Sequence, residues 1–243
     1  MRLAGRMGGM ERIRPIGLLA LVGMVVVCGS LRAQNYDFGT EWEARYSRAV
    51  VKGTEISVAE ELRFKHYSTR FTKSETTVAL SQALWRKSLK QHGMRLKLGA
   101  SYAFIYRYNK NRYYEDQHRL NLNLSFTKKF GDWAVGYRAR WQTTFRNERI
   151  GDYKYNPQMY LRNRIGVSYS FPDKPWKLSL TEECFQRLNH PSKKIVDEFR
   201  TVATVSYQVD RHNTVSMQLK AATEVQVKNP DRFFCLGFAY EFD

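Results

Sequence analysis

The sequence predicts an all-β fold: a single closed antiparallel transmembrane β-barrel of about ten strands, with about twelve as the other count. Three observations carry this. Apolar and polar residues alternate with a period of two through eleven segments between residues 38 and 242. A stretch with the make-up of an export signal precedes them. Short and longer connections then alternate along the chain.

The stretch from Trp133 to Arg146 shows the alternation best. Trp133, Val135, Tyr137, Ala139, Trp141, Thr143 and Phe145 form one set; Ala134, Gly136, Arg138, Arg140, Gln142, Thr144 and Arg146 form the other. In a strand the two sets point to opposite faces. A soluble sheet would bury the first set, whereas a membrane barrel turns it to lipid and lines its lumen with the second. Recurrence of the pattern behind an export signal selects the barrel.

Residues 1–33 read as a cleaved signal peptide. Arg2, Arg6, Arg12 and Arg14 precede the apolar run Ile16 to Cys28, and Ala33 is a small residue at the cleavage point. That run is too short for a spanning helix, and a mean hydropathy of -0.55 excludes several of them. Residues 34–243 show no linker and read as one barrel domain. Cleavage removes five arginines and Glu11, so the net charge falls from +17 to about +13. Such a balance suits nucleic acid, an anionic membrane surface or an anionic solute; export argues against nucleic acid. Cys28 leaves with the leader, while Cys184 and Cys235 fall on separate strands and read as isolated thiols.

The strands follow in order. The first, near Phe38 to Arg48, sets Phe38, Trp42 and Tyr46 against Glu41, Glu43 and Arg45. The second, near Glu55 to His66, sets Ile56, Val58, Leu62 and Phe64 against Glu61, Arg63 and Lys65; Glu60 interrupts its apolar face and predicts a bulge or a non-membrane end. The third, near Glu75 to Arg86, has the weakest alternation. Met94 to Arg107 and His118 to Lys128 alternate cleanly, with Arg95, Lys97, Arg119, Asn121 and Asn123 on their polar faces. After Trp133 to Arg146, the seventh sets Met159, Leu161, Ile165 and Val167 against Arg162 and Arg164. Pro172-Asp173-Lys174-Pro175 is a tight turn, because proline fixes φ and lacks a ladder donor. In the eighth, Trp176, Leu178 and Leu180 lead to a reversal at Glu182 and Phe185, which predicts a bulge near Glu182 and Glu183. The ninth opposes Ala203, Val205 and Tyr207 to Arg200, Thr204 and Ser206; the tenth opposes Val215, Met217 and Leu219 to Gln218, Lys220 and Glu224. The last presents Phe234, Leu236, Phe238, Tyr240 and Phe242 on one face.

Residues 87–93, 129–132, 172–175 and 210–213 are the short connections; residues 67–74, 108–117, 147–157 and 189–196 are the longer ones. Short periplasmic turns and longer outer loops are the outer-membrane pattern. A barrel with both termini in the periplasm needs an even strand count, so eleven segments predict ten strands, the first being partial, or twelve with one overlooked.

Arg at mid-bilayer on the lipid face costs ~2–4 kcal/mol, so the basic residues turn inward. The expected lumen is lined by Arg63, Arg95, Lys97, Arg119, Arg138, Arg140, Arg162, Arg164 and Arg200, with Glu61, Glu183 and Glu224 as acids. A barrel this narrow, well below the 16–18 strands of wide porins, is either filled by a salt-bridged interior or left as a small anion-favouring conduit. Tyr106, Tyr108, Tyr113, Tyr114, Tyr153 and Tyr155 read as an interfacial girdle. Lys110, Arg112, Lys154, Lys193 and Lys194 suit the phosphates of an outer leaflet.

Glu61-Leu62-Arg63, His118-Arg119, Arg138-Ala139-Arg140, Arg162-Asn163-Arg164, Glu183-Cys184-Phe185 and the aromatic final strand resemble the Bacteroidota outer-membrane family called domain of unknown function 2490. The resemblance covers most of residues 35–243. It implies a barrel in the outer membrane of a Gram-negative bacterium and carries no activity to transfer. The partners expected are membrane lipid, lipopolysaccharide and, during insertion, the barrel-assembly machinery.

No G-x-S-x-G, H-E-x-x-H, phosphate-cradling glycine loop or C-x-x-C is present. The expectation is a non-enzymatic barrel without metal or cofactor, structural or a narrow channel. The alternative is a lipid hydrolase or acyltransferase with a rim site. Such a site would draw on His66 with Ser68, His118 with Asp116, or His190 with Ser192.

Overall fold

The computed structural model describes residues 35–108, 113–146, 157–189, 195–227 and 230–243. Alternating β-branched, aromatic and polar residues make strands wherever one face can be apolar and the other hydrated. Eleven strands result: β1 (Asn35–Val51), β2 (Thr54–Lys65), β3 (Arg70–Leu84), β4 (Met94–Tyr108), β5 (Tyr114–Phe130), β6 (Trp133–Arg146), β7 (Gln158–Ser170), β8 (Trp176–Arg187), β9 (Val196–Gln208), β10 (Asn213–Glu224) and β11 (Asp231–Phe242). A short helix, α1 (Arg86–Gln91), lies between β3 and β4.

Each strand pairs antiparallel with the next, and β1 closes the barrel against β11. That closing pair is parallel, in register from Asn35 beside Asp231 to Tyr46 beside Phe242. The fold is therefore the expected closed all-β barrel, and its count of eleven follows from the seam. The even-number rule assumes that the first and last strands run in opposite directions. Here they run the same way, so β1 begins at the end of the barrel where β10 crosses to β11. Outward aromatic pairs flank the seam, with the Trp42 and Phe238 rings stacked at 4.7 Å and Tyr46 and Phe242 at 5.2 Å.

Neither expected bulge forms. β2 and β8 pass through Glu60 and Glu182 in register, and the irregularities fall at Ala49/Val51, Arg63/Phe64 and Phe185/Gln186. Glu60 keeps its outward position because both carboxylate oxygens accept hydroxyls, Ser74 Oγ and Thr76 Oγ1, each at 2.5 Å. Glu182 accepts Thr201 Oγ1 at 2.5 Å in the same way. Phe185 points inward although it is apolar, lying under the Arg162 and Arg200 guanidiniums at 4.2 and 4.6 Å.

Several strands run further than the alternation suggests, because rungs form beyond the apolar belt. Arg70 to Ser74 join β3, so the predicted 67–74 loop shrinks to residues 66–69. Its residues His66, Tyr67 and Ser68 all have φ between 53° and 65°. Left-handed backbone in non-glycine residues is strained. Asp37 Oδ1 and Phe38 O hold it by accepting the His66 and Tyr67 amides, both at 2.9 Å. The division into short and long ends is consequently less sharp than expected, and the 85–93 connection at the short-turn end is itself long enough to hold α1.

The interior is inverted relative to a soluble sandwich. Among the described residues, buried polar side chains include Glu41, Gln117, Asn121, Gln142, Arg162 and Glu183, while Leu98, Leu122, Trp141, Ile165 and Leu219 are exposed on the outside. Two aromatic rows bound this apolar exterior. At the short-turn end Trp133 meets Tyr169 at 4.9 Å and Trp176 meets Tyr207 at 4.7 Å. At the other end Tyr106 stacks on Tyr114 at 4.8 Å, and Tyr108 packs edge-on to Tyr114 at 5.1 Å.

Candidate functional site: the charged lumen

The lumen holds two charge networks of different balance. The first runs over β10, β1, β2, β3 and β5. Glu41, 2% exposed, accepts Arg63 Nε at 2.9 Å and Nη2 at 2.6 Å, and also accepts Lys220 Nζ. Arg63 reaches on to Glu61 at 3.2 Å, Lys73 bridges Glu61 and Glu75, and Arg119 Nη1 donates to Glu75 at 2.9 and 3.0 Å. Lys220 crosses β11 to reach Glu41. It passes over Gly237, where an added Cβ would lie in ordinary contact with Lys220 Cε at 3.5 Å and would crowd Gln218 Cβ at 3.3 Å. Cations and carboxylates alternate along this chain, so buried charges are paired as they must be. Glu41, Glu43 and Glu61 bring three carboxylates within 4.8 Å, but Arg63, Lys73, Lys220 and Arg45 already supply the positive charge there.

The second network, on β6 to β9, is short of acid. Glu183 accepts Arg138 Nη2 at 2.6 Å and Arg162 at 3.1 Å (Nε) and 2.8 Å (Nη2). Arg200 turns to Glu198 at 2.6 and 3.0 Å. Arg140 has an amide partner, Asn123 Oδ1 at 2.6 Å. Among the described residues, Arg164 makes no hydrogen bond or ion pair, although the register places it directly beside Glu183. Register also sets Arg138 opposite Arg164 and Arg140 opposite Arg162. Like charges directly opposite on neighbouring strands destabilise a sheet, and one carboxylate stands among four guanidiniums.

Packing divides the lumen lengthwise. Towards the longer connections, Ala103 and Ile105 are fully buried, Gln117, Glu115, Thr144 and Phe185 are nearly so, and Lys65 lies over the Phe233 ring at 4.4 Å. Towards the short turns the side chains of Arg45 and Glu55 are 42% and 43% exposed. A cavity of about 760 Å³ opens there, lined at its mouth by Glu55, Lys97 and Glu241 and at depth by Asn121, Arg140, Arg162 and Glu183. Eleven strands lie between the roughly eight whose side chains fill a barrel and the 16–18 that leave a channel. A half-filled lumen is the corresponding result.

The remaining expected lumen residues sit as follows. Lys97 pairs with Glu55 at 3.0 Å, Arg95 is exposed near the mouth, and Glu224 is exposed as the last residue of β10. Sequence reasoning missed Lys73, Glu75, Glu55 and Glu198. The first two become legible once β3 starts at Arg70, because they share parity with Thr77, Ala79 and Ser81. Of the histidines, His118 faces outward and its Nδ1 meets Tyr102 Oη at 2.7 Å; among the described residues no serine hydroxyl bonds a histidine. His190, Ser192, Tyr153, Tyr155, Lys110, Arg112, Lys154, Lys193 and Lys194 lie outside the described residues. Both described cysteines are free, Cys184 half-buried and Cys235 buried.

A family model described as protein of unknown function (DUF2490) matches residues 38–224. The chain belongs to that family. The match spans β1 to β10, and so takes in both charge networks of the DUF2490 lumen. No curated protein matches the chain. Among solved structures, the chain is similar to the β domain of the Bordetella autotransporter BrkA. The two are 10% identical over 76% of this chain and 82% of that one, with a TM-score of 0.39.

Proposed function

We propose that this DUF2490 protein is an integral outer-membrane β-barrel of a Gram-negative bacterium, exported behind residues 1–33. On this reading it is non-catalytic, and its lumen is a wall-bracing pocket closed to through-flow. The observation that carries the reading is the inverted barrel wall: an apolar exterior between two aromatic rows, with the arginines and glutamates inside. In hydrocarbon every backbone polar group must be bonded internally, which a closed sheet achieves. The outward carboxylates Glu60 and Glu182 fit such a wall because neighbouring hydroxyls satisfy them. With the short turns in the periplasm, the 760 Å³ cavity faces the periplasm and the packed half faces outward. Membrane lipid and lipopolysaccharide are then the neighbours of the wall, and the barrel-assembly machinery the partner in insertion.

Carbonate extraction of outer-membrane fractions, with migration of boiled and unboiled samples on SDS gels, tests the address. Retention in the pellet and a heat-dependent band are expected; release by carbonate refutes it. In planar bilayers the wild type should pass no steady current, and Phe185→Ala should admit an anion-favouring one. A steady wild-type current would restore the conduit. Altered lipid A or phospholipid in a deletion strain would overturn the non-catalytic reading.

A further inference from the structure

The excess of arginine on β6 and β7 has a cavity beside it. A space of about 240 Å³ on the lumen side is lined by Arg138, Arg164 and Lys177 and by the hydroxyls of Ser125, Ser179 and Thr181, with no carboxylate among its lining residues. The space exists because Gly136 and Gly166 face each other across β6 and β7, leaving the wall without side chains at that rung. Arg138 Nε is buried without a hydrogen-bond partner. Arg164, directly opposite on β7, makes no hydrogen bond or ion pair among the described residues. Glu183 is already engaged by Arg138 and Arg162. Two guanidiniums set against each other by register, a lysine at the mouth and several hydroxyls converge on a space with no carboxylate in its lining.

We propose that this niche binds a small, multiply charged oxyanion, inorganic phosphate or a compact phosphate monoester, which bridges Arg138 and Arg164. The charge chemistry selects the class: guanidinium forks match phosphate oxygens in pairs, and the hydroxyls donate to the rest. The size limits it. Pockets for drug-sized ligands run from about 300 to 1,000 Å³; the niche of 240 Å³ suits a phosphate-sized group, and it adjoins the 760 Å³ cavity, with which it shares Ser125, Arg138, Arg164, Ser179 and Thr181. The bound anion adds countercharge to a cluster in which Arg138 and Arg162 already share the single carboxylate of Glu183. The proposal rests on the barrel reading above only for the side from which solute enters.

The test is calorimetric titration of inorganic phosphate into the detergent-purified barrel, at ionic strength matched with chloride, alongside the melting temperature from the heat-modifiable band. Phosphate should bind and raise the melting temperature where chloride does not. Arg164→Gln should weaken binding at least tenfold while leaving the phosphate-free melting temperature equal or higher, because it relieves a like-charge pair. A purely bracing Arg164 would give the opposite sign. Gly136→Val should also abolish binding in a folded barrel. A Cβ at 136 meets nothing closer than 3.7 Å, and the remaining methyls enter the niche. Arg86→Gln on exposed α1 removes the same charge and should bind phosphate as the wild type does. No response beyond chloride, equal loss in Arg86→Gln, or response only to a short-chain phosphatidate overturns the site. Phosphate binding by a barrel that carbonate releases from membranes would sink the address and leave the site standing.

Discussion

Replacing Glu183 by Gln should be a costly isosteric change in the lumen. The side chain is 6% exposed and accepts three charge-assisted hydrogen bonds, one from Arg138 and two from Arg162, whose side chains are 14% and 9% exposed. Glutamine fills the same space but removes the charge, leaving the four neighbouring arginines uncompensated. Breaking a buried pair by removing one partner costs ~3–5 kcal/mol. The open cavity beside this cluster gives some screening by water, so the lower end, ~3 kcal/mol, is expected. That is about a hundredfold in the folding equilibrium. The control is Glu43→Gln, whose partner Arg45 is 42% exposed; exposed pairs contribute ~1 kcal/mol or less. Equilibrium urea unfolding in phosphate-free detergent, followed by tryptophan fluorescence and by the heat-modifiable band, measures both. If Glu183→Gln falls within ~1 kcal/mol of wild type, or Glu43→Gln costs as much, the view of Glu183 as the hub of this cluster fails.

Three further outcomes are expected. Leu122→Arg places a guanidinium on the exterior belt and should cost ~2–4 kcal/mol and impair insertion, while Gln218→Arg, on the lumen side, should insert normally; equal behaviour would contradict the assigned faces. A tag immediately before Asn35 and another after Asp243 should be reached from opposite sides of the outer membrane in intact cells, because β1 and β11 run parallel; labelling from one side only would require an even strand count. In the 209–212 turn, the His212 amide and the Asn213 side chain and amide donate to Asp210 and hold its carboxyl below the ordinary value of 3.8. A lowered native pKa gives stabilisation that is full above the unfolded value and is lost as pH falls through the native one. The His212 and Asn213 amide resonances should therefore titrate with a midpoint below 3.8, and a midpoint at or above it would disprove the contact.

Much of the architecture is readable in the sequence. A side chain's face is a property of position parity within one strand, so Val135 outward and Arg138 inward need only the local period of two. Apolar identity alone misled at Phe185, where two guanidiniums cover the ring inside the lumen, and acidic identity alone misled at Glu60, where two hydroxyls keep a carboxylate outside. Neither compensating group is near in sequence. What tertiary structure decided was which residues stand opposite one another. Closure through a parallel β1–β11 seam made eleven a permitted count. Strand register set Arg138 beside Arg164 and left Glu183 the shared acid of a basic cluster. Periodicity is written into each strand singly, whereas register and closure arise between strands, and the pairing of charges in the lumen depends on both.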